Sequence, residues 1–159
     1  MFLSRYTDRH NNILSIITDY LKSSLPPSST LYVDLPNNNP SHILFSNLRT
    51  DLAILFNSKI HVLELTVCHE TNLASSSSRK LDRYKKLNLN LKPPFSNYQV
   101  KITSLEVSVL GFIFDITPFL KPLKIKPIPN SVLNKITLSA INSSKSIYYN
   151  RDNPVNDIT

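Results

Sequence analysis

Arg49-Thr50-Asp51-Leu52-Ala53-Ile54-Leu55-Phe56, then Asn57-Ser58, then Lys59-Ile60-His61-Val62-Leu63-Glu64-Leu65-Thr66-Val67 is the stretch that decides the fold. Two β-type runs, Leu52 to Phe56 and Ile60 to Val67, flank a pair of turn-forming residues, the pattern of a β-hairpin. If Asn57-Ser58 is a two-residue loop, Phe56 faces Lys59, and counting outward sets Asp51 opposite Glu64. Opposed residues of an antiparallel pair hold their Cβ atoms about 4.5–5.5 Å apart on one sheet face. Two carboxylates that close repel each other inside an apolar hairpin, and the cost falls when a divalent cation or a base lies between them. The acidic end of the hairpin is therefore expected to be a metal site.

Upstream, Ile13, Ile16, Ile17, Tyr20 and Leu21 recur at helical spacing after Asn11-Asn12, predicting a helix from about there to Lys22, ended by Pro26-Pro27. Thr30 to Leu35 alternates as a strand with Leu31, Val33 and Leu35 on one face, a loop follows from Pro36 to Pro40, and a short apolar piece from His42 to Phe45 leads into the hairpin. Downstream, the Ser75 to Ser78 run supplies a cap for a basic helix, Arg79 to Leu87, with Leu81, Tyr84 and Leu87 near one face. Tyr98 to Phe114 is β-rich, and its apolar phase shifts between Ile102 and Leu105, which predicts a bulge near Ser104. Four prolines from Pro118 to Pro129 break the next stretch, and a last helix is predicted from about Ser131 to Asn150. Three strands, a helix and one more strand make a mixed sheet with helices on its faces, an α/β fold.

A chain of 159 residues fits one domain. Eighteen Lys and Arg against eleven Asp and Glu give +7, which favours a polyanionic partner, although such a charge also serves as a soluble surface. One cysteine, Cys68, excludes an internal disulfide and a cysteine-based zinc cluster and fits an intracellular compartment. The amino terminus carries Arg5, Asp8 and Arg9 where a signal peptide would be apolar, and no apolar run is long enough to span a bilayer, so no membrane association is expected. A single glycine, Gly111, excludes glycine-rich phosphate loops.

The hairpin, the basic helix and the order of elements together resemble the restriction-endonuclease-like PD-(D/E)xK fold, with its αβββαβ core and here an additional C-terminal helix. Arg-Thr-Asp-Leu-Ala-Ile-Leu (49–55), Val-Leu-Glu-Leu-Thr-Val-Cys-His-Glu (62–70), Lys-Leu-Asp-Arg-Tyr-Lys-Lys-Leu (80–87) and Arg-His-Asn-Asn-Ile (9–13) resemble the endonuclease domain at the end of the reverse-transcriptase proteins of site-specific non-LTR retrotransposons. On that resemblance the core spans about residues 9–114, and 115–151 form a C-terminal extension. Thr50 and Cys68 stand where the family pattern has proline.

The resemblance implies a metal-dependent DNA endonuclease in which Asp51 and Glu64 hold Mg²⁺ or Mn²⁺ with the Leu65 carbonyl, and Lys80 serves the attacking water or the phosphate. Thr66 occupies the strand position where the wider fold places its lysine, and Glu70 matches an accessory family acid. Arg49, Lys59, Arg79, Arg83, Lys85 and Lys86 would hold DNA through its phosphates. The resemblance leaves open a homodimer and a reverse-transcriptase module in a longer parent protein, and it implies a nuclear location for an active retroelement product. Each residue also has a duller reading: Asp51 as a turn residue, Glu64 as a lone acid paired to Arg49 or Lys59, Lys80 as a solvated charge, Glu70 as a local cap. Glu106 either approaches the acidic edge or turns to solvent at the bulge. The four histidines show no ligand spacing, and Tyr148-Tyr149 would pack along the last helix or stack on bases with Arg151. Alternatives to an enzyme are an inactive nucleic-acid-binding relic and a protein-interaction module.

Overall fold

The computed structural model describes residues 2–69, 72, 75, 78, 79, 82 and 90–150. Its elements are helix α1 (Phe2–Ser24), strands β1 (Thr30–Val33), β2 (Leu52–Phe56), β3 (Lys59–Cys68) and β4 (Gln99–Ser108), a short helix α2 (Thr117–Leu120) and helix α3 (Asn130–Asn150). The strands form one mixed sheet in the order β1-β2-β3-β4, antiparallel up to β3 and parallel between β3 and β4. This is an α/β architecture.

The hairpin forms with the predicted register. Asn57 and Ser58 both take positive φ, 51° and 59°, as a two-residue turn between right-twisted strands requires, and Phe56 pairs with Lys59. The ladder between β2 and β3 ends at Leu52 and Leu63, whereas β3 continues to Cys68 and, among the described residues, pairs there with β4 alone. Alternation then sorts side chains to two faces. On one face Leu52, Ile54, Leu63, Leu65, Leu105 and Val107 pack under α1 and α3 in the main core. On the other, Ala53, Ile60, Val62, Val100 and Ile102 pack against Leu44, Phe45 and Phe95.

Three expectations change. The helix begins at Phe2, so Asn11-Asn12 sit in mid-helix; asparagine there costs only tenths of a kcal/mol, less than is gained where Arg5 and Arg9 bond to Asn150 and Ser144 of α3. No bulge occurs near Ser104, because β4 pairs with β3 at every residue from Gln99 to Ser108. The phase shift arises because the first half of β4 feeds the second cluster and its last half feeds the main core. Tyr148 and Tyr149 are exposed, their rings meeting edge to face at 5.7 Å, rather than packed within the protein.

Candidate functional site

Where β2 stops, side chains take over from the backbone ladder. Asp51 Oδ2 accepts the Leu65 N–H at 2.8 Å, and Glu64 Oε1 accepts the Asp51 N–H at 3.0 Å. The two acids face each other across the hairpin, as the register demands, and each clasps backbone beside the other. The strand's start is itself pinned: Ser41 Oγ accepts the Thr50 N–H at 3.1 Å and donates to the Thr50 carbonyl at 3.2 Å. A proline at 50 has no N–H to satisfy, so Ser41 provides for the donor that threonine brings.

Asp51, Glu64, Thr66 and Glu106 alternate onto one face of the sheet, beyond its apolar cluster, since Thr66 pairs with Glu106 in the β3–β4 register. Glu64 and Glu106 are 2% and 4% exposed. Thr66 Oγ1 and Glu106 Oε1 are buried with no hydrogen-bond partner. Buried polar atoms are rarely left so, and two hard oxygens beside two carboxylates make a donor set suited to a cation such as Mg²⁺. The Leu65 N–H points past the end of β2, and in an extended strand the carbonyl of the same residue points the same way, toward Asp51. These residues fit a divalent cation by chemistry, while among the described residues no cluster of three or more His, Cys, Asp or Glu is preassembled for one.

Helix α1 adds a residue that spacing did not single out. His10 Nε2 lies 3.3 Å from Asp51 Oδ2, and its Nδ1 lies 3.3 Å from Asn11 Oδ1. Next to it, Arg9 donates to the Val67 carbonyl at 3.3 Å, covering the same open edge of β3. The sequence signal for both was the Arg-His-Asn segment, read only as resemblance.

Of the predicted phosphate-binding residues, Arg49, Lys59 and Arg79 are among those described. Arg49 is exposed and pairs with Asp34. Lys59 sits at the hairpin turn, five residues from Glu64 along β3, or about 16 Å at the rise of a strand. Arg79 is exposed and donates to the Ser75 carbonyl. Ser75, Ser78, Arg79 and Asp82 have helical backbone. Lys80, Glu70, Arg83, Lys85 and Lys86 lie outside the described residues.

No known family model and no curated protein matches the chain. Among the described residues no helix is long and apolar enough to cross a membrane.

Proposed function

We propose that this protein is a metal-dependent endonuclease that hydrolyses DNA phosphodiester bonds at the acidic end of the β2–β3 hairpin, in a restriction-endonuclease-like domain of retroelement origin. The observation that carries the reading is the pairing of Asp51 with Glu64 on one sheet face, beside the orphaned oxygens of Thr66 and Glu106. A helix, three antiparallel strands and a fourth strand parallel to the third support the same reading.

Asp51, Glu64 and the Leu65 carbonyl would hold Mg²⁺ or Mn²⁺. Such an ion supplies charge neutralisation at the phosphoryl oxygens and a more acidic water. Asp51 is kept in place by the Leu65 N–H and by His10, so its carboxylate is presented without rotamer search. Lys80 would orient or deprotonate the attacking water or stabilise the phosphate. The net charge of +7 draws the duplex through a term that weakens with salt.

A second reading also has an observation behind it. The exchange in which each acid accepts an N–H beside the other would by itself justify both as structure, and the chain would then be an inactive nucleic-acid-binding relic. Nicking of supercoiled DNA by the purified chain in Mg²⁺ or Mn²⁺ separates the two. Nicking that is lost in Glu64→Ala supports the enzyme; salt-sensitive binding with no turnover selects the relic, and stable capture of a protein partner without DNA affinity selects an interaction module.

A further inference from the structure

Arg9 is a buried cation whose partners among the described residues are all neutral. Its residue is 7% exposed. One terminal nitrogen donates to Ser144 Oγ at 3.1 Å, the other to the Val67 carbonyl at 3.3 Å, and Nε is buried with no partner. The Tyr6 ring lies 5.2 Å from the guanidinium carbon. A guanidinium carries five N–H donors, so these two bonds leave most of its capacity unused. Burial pushes its pKa down from the ordinary value, which marks the discomfort of the charged form.

A side chain needed only to tie α1 to β3 and α3 would serve as well uncharged, because both of its acceptors are neutral. The charge therefore calls for an anion, and the space for one is at hand. Arg9 borders a cleft of about 540 Å³ whose walls include Tyr6, His69, Asn72, Ser144 and Tyr148. Among the described residues lining it none is Asp or Glu; Asp8 borders an adjoining groove that Arg9 and Arg5 also line. Serine, asparagine and tyrosine add neutral donors, and the two tyrosines, 47% and 60% exposed, offer faces to a planar ring.

We propose that this cleft is an anion site that takes a phosphate group on the Arg9 guanidinium. The guanidinium fork matches phosphoryl oxygens in pairs, and the net charge of +7 raises the local concentration of such ligands. The phosphate belongs either to a small phosphorylated molecule or to a nucleic-acid strand. The site rests on Arg9 and not on the hairpin acids, so it stands or falls apart from the cleavage reaction.

Ser144→Asp supplies a counter-anion to Arg9 from within the protein. It is expected to weaken phosphate binding at least tenfold, whereas a merely structural Arg9 predicts no phosphate binding to weaken; a rise in melting temperature would accompany either case. Arg9→Met is expected to abolish binding, and if that variant fails to fold, Ser144→Asp decides alone. The measurement is calorimetric titration of the full chain with inorganic phosphate at constant ionic strength, followed by 5′-phosphorylated and unphosphorylated oligothymidylate. Phosphate that competes with the unphosphorylated strand identifies a backbone phosphate as the ligand; competition only with the 5′-phosphorylated strand identifies a terminal phosphate, and binding without competition identifies a small molecule. The proposal is overturned if wild type does not bind phosphate, or if Ser144→Asp binds it as wild type does. Glu64→Ala is expected to retain phosphate binding in full.

Discussion

Replacing Asp51 by alanine and, separately, by asparagine divides its structural work from its chemical work. Alanine removes the acceptor of the Leu65 N–H, at a residue only 1% exposed, so water does not readily replace it. A hydrogen bond to a charged group is worth about 1.5–3 kcal/mol, and the partly exposed contact with His10 adds less than about 1 kcal/mol. Asp51→Ala should therefore cost about 2–3 kcal/mol, which in a chain of this length lowers the melting temperature by about 4–12 °C. Asparagine keeps a carbonyl oxygen for the same N–H but discards the charge, so it should cost about 1 kcal/mol. Both variants should lose stabilisation by Mn²⁺ and nicking of supercoiled DNA, because both lack the anionic ligand. Urea unfolding with and without Mn²⁺, beside a plasmid-nicking assay, reads the two effects separately. Equal losses of stability in the two variants, or Mn²⁺ stabilisation undiminished in Asp51→Asn, would refute the reasoning.

Gly111→Ala should destabilise by about 2–5 kcal/mol, since φ is +91° and a Cβ there would lie 2.6 Å from Thr137 Cγ2 and 3.0 Å from Ile141 Cδ1; adding Thr137→Ser should recover the steric part, and a double-mutant cycle showing no coupling would contradict this. His61 is buried, and burial first, then Lys101 and Lys59, holds its pKa below the ordinary 6.5. The unfolded chain thus binds a proton from about pH 6.5 downward while the folded chain resists it, so stability is lost on acidification until the folded pKa is passed. Lys101→Met should lift that pKa and shrink the loss between pH 7.5 and pH 5, as titration of the His61 ring by NMR would record. Glu106→Gln should leave metal-free stability within about 1 kcal/mol of wild type, since an amide keeps the polarity of the side chain, yet reduce Mn²⁺ affinity several-fold in calorimetry.

The hairpin was legible because a two-residue turn leaves its register no freedom: once Asn57 and Ser58 form the loop, Asp51 must meet Glu64. Helix α3 was legible because apolar residues recur there at helical spacing, and Ile136, Ala140 and Ile147 among them are buried while Ile141 is exposed. The bulge was misread because alternation was counted against a single core, whereas β4 serves two. The start of α1 was misread because asparagine caps and helical asparagines look alike in sequence, and only the bonds of Arg5 and Arg9 to α3 separate them. His10 and Arg9 were missed for a related reason: from a distant helix His10 meets Asp51 and Arg9 meets Val67 of β3, and no spacing rule links residue 10 to residue 51.

Strand β3 outruns its hairpin partner by five residues, and α1 lies along the overhang through His10 and Arg9. Bare strand edges template the addition of further strands from other molecules. The first turns of α1 thus act as a guard against polymerisation, and a chain trimmed of residues 1–12 should self-associate into β-rich aggregates before its central sheet has melted.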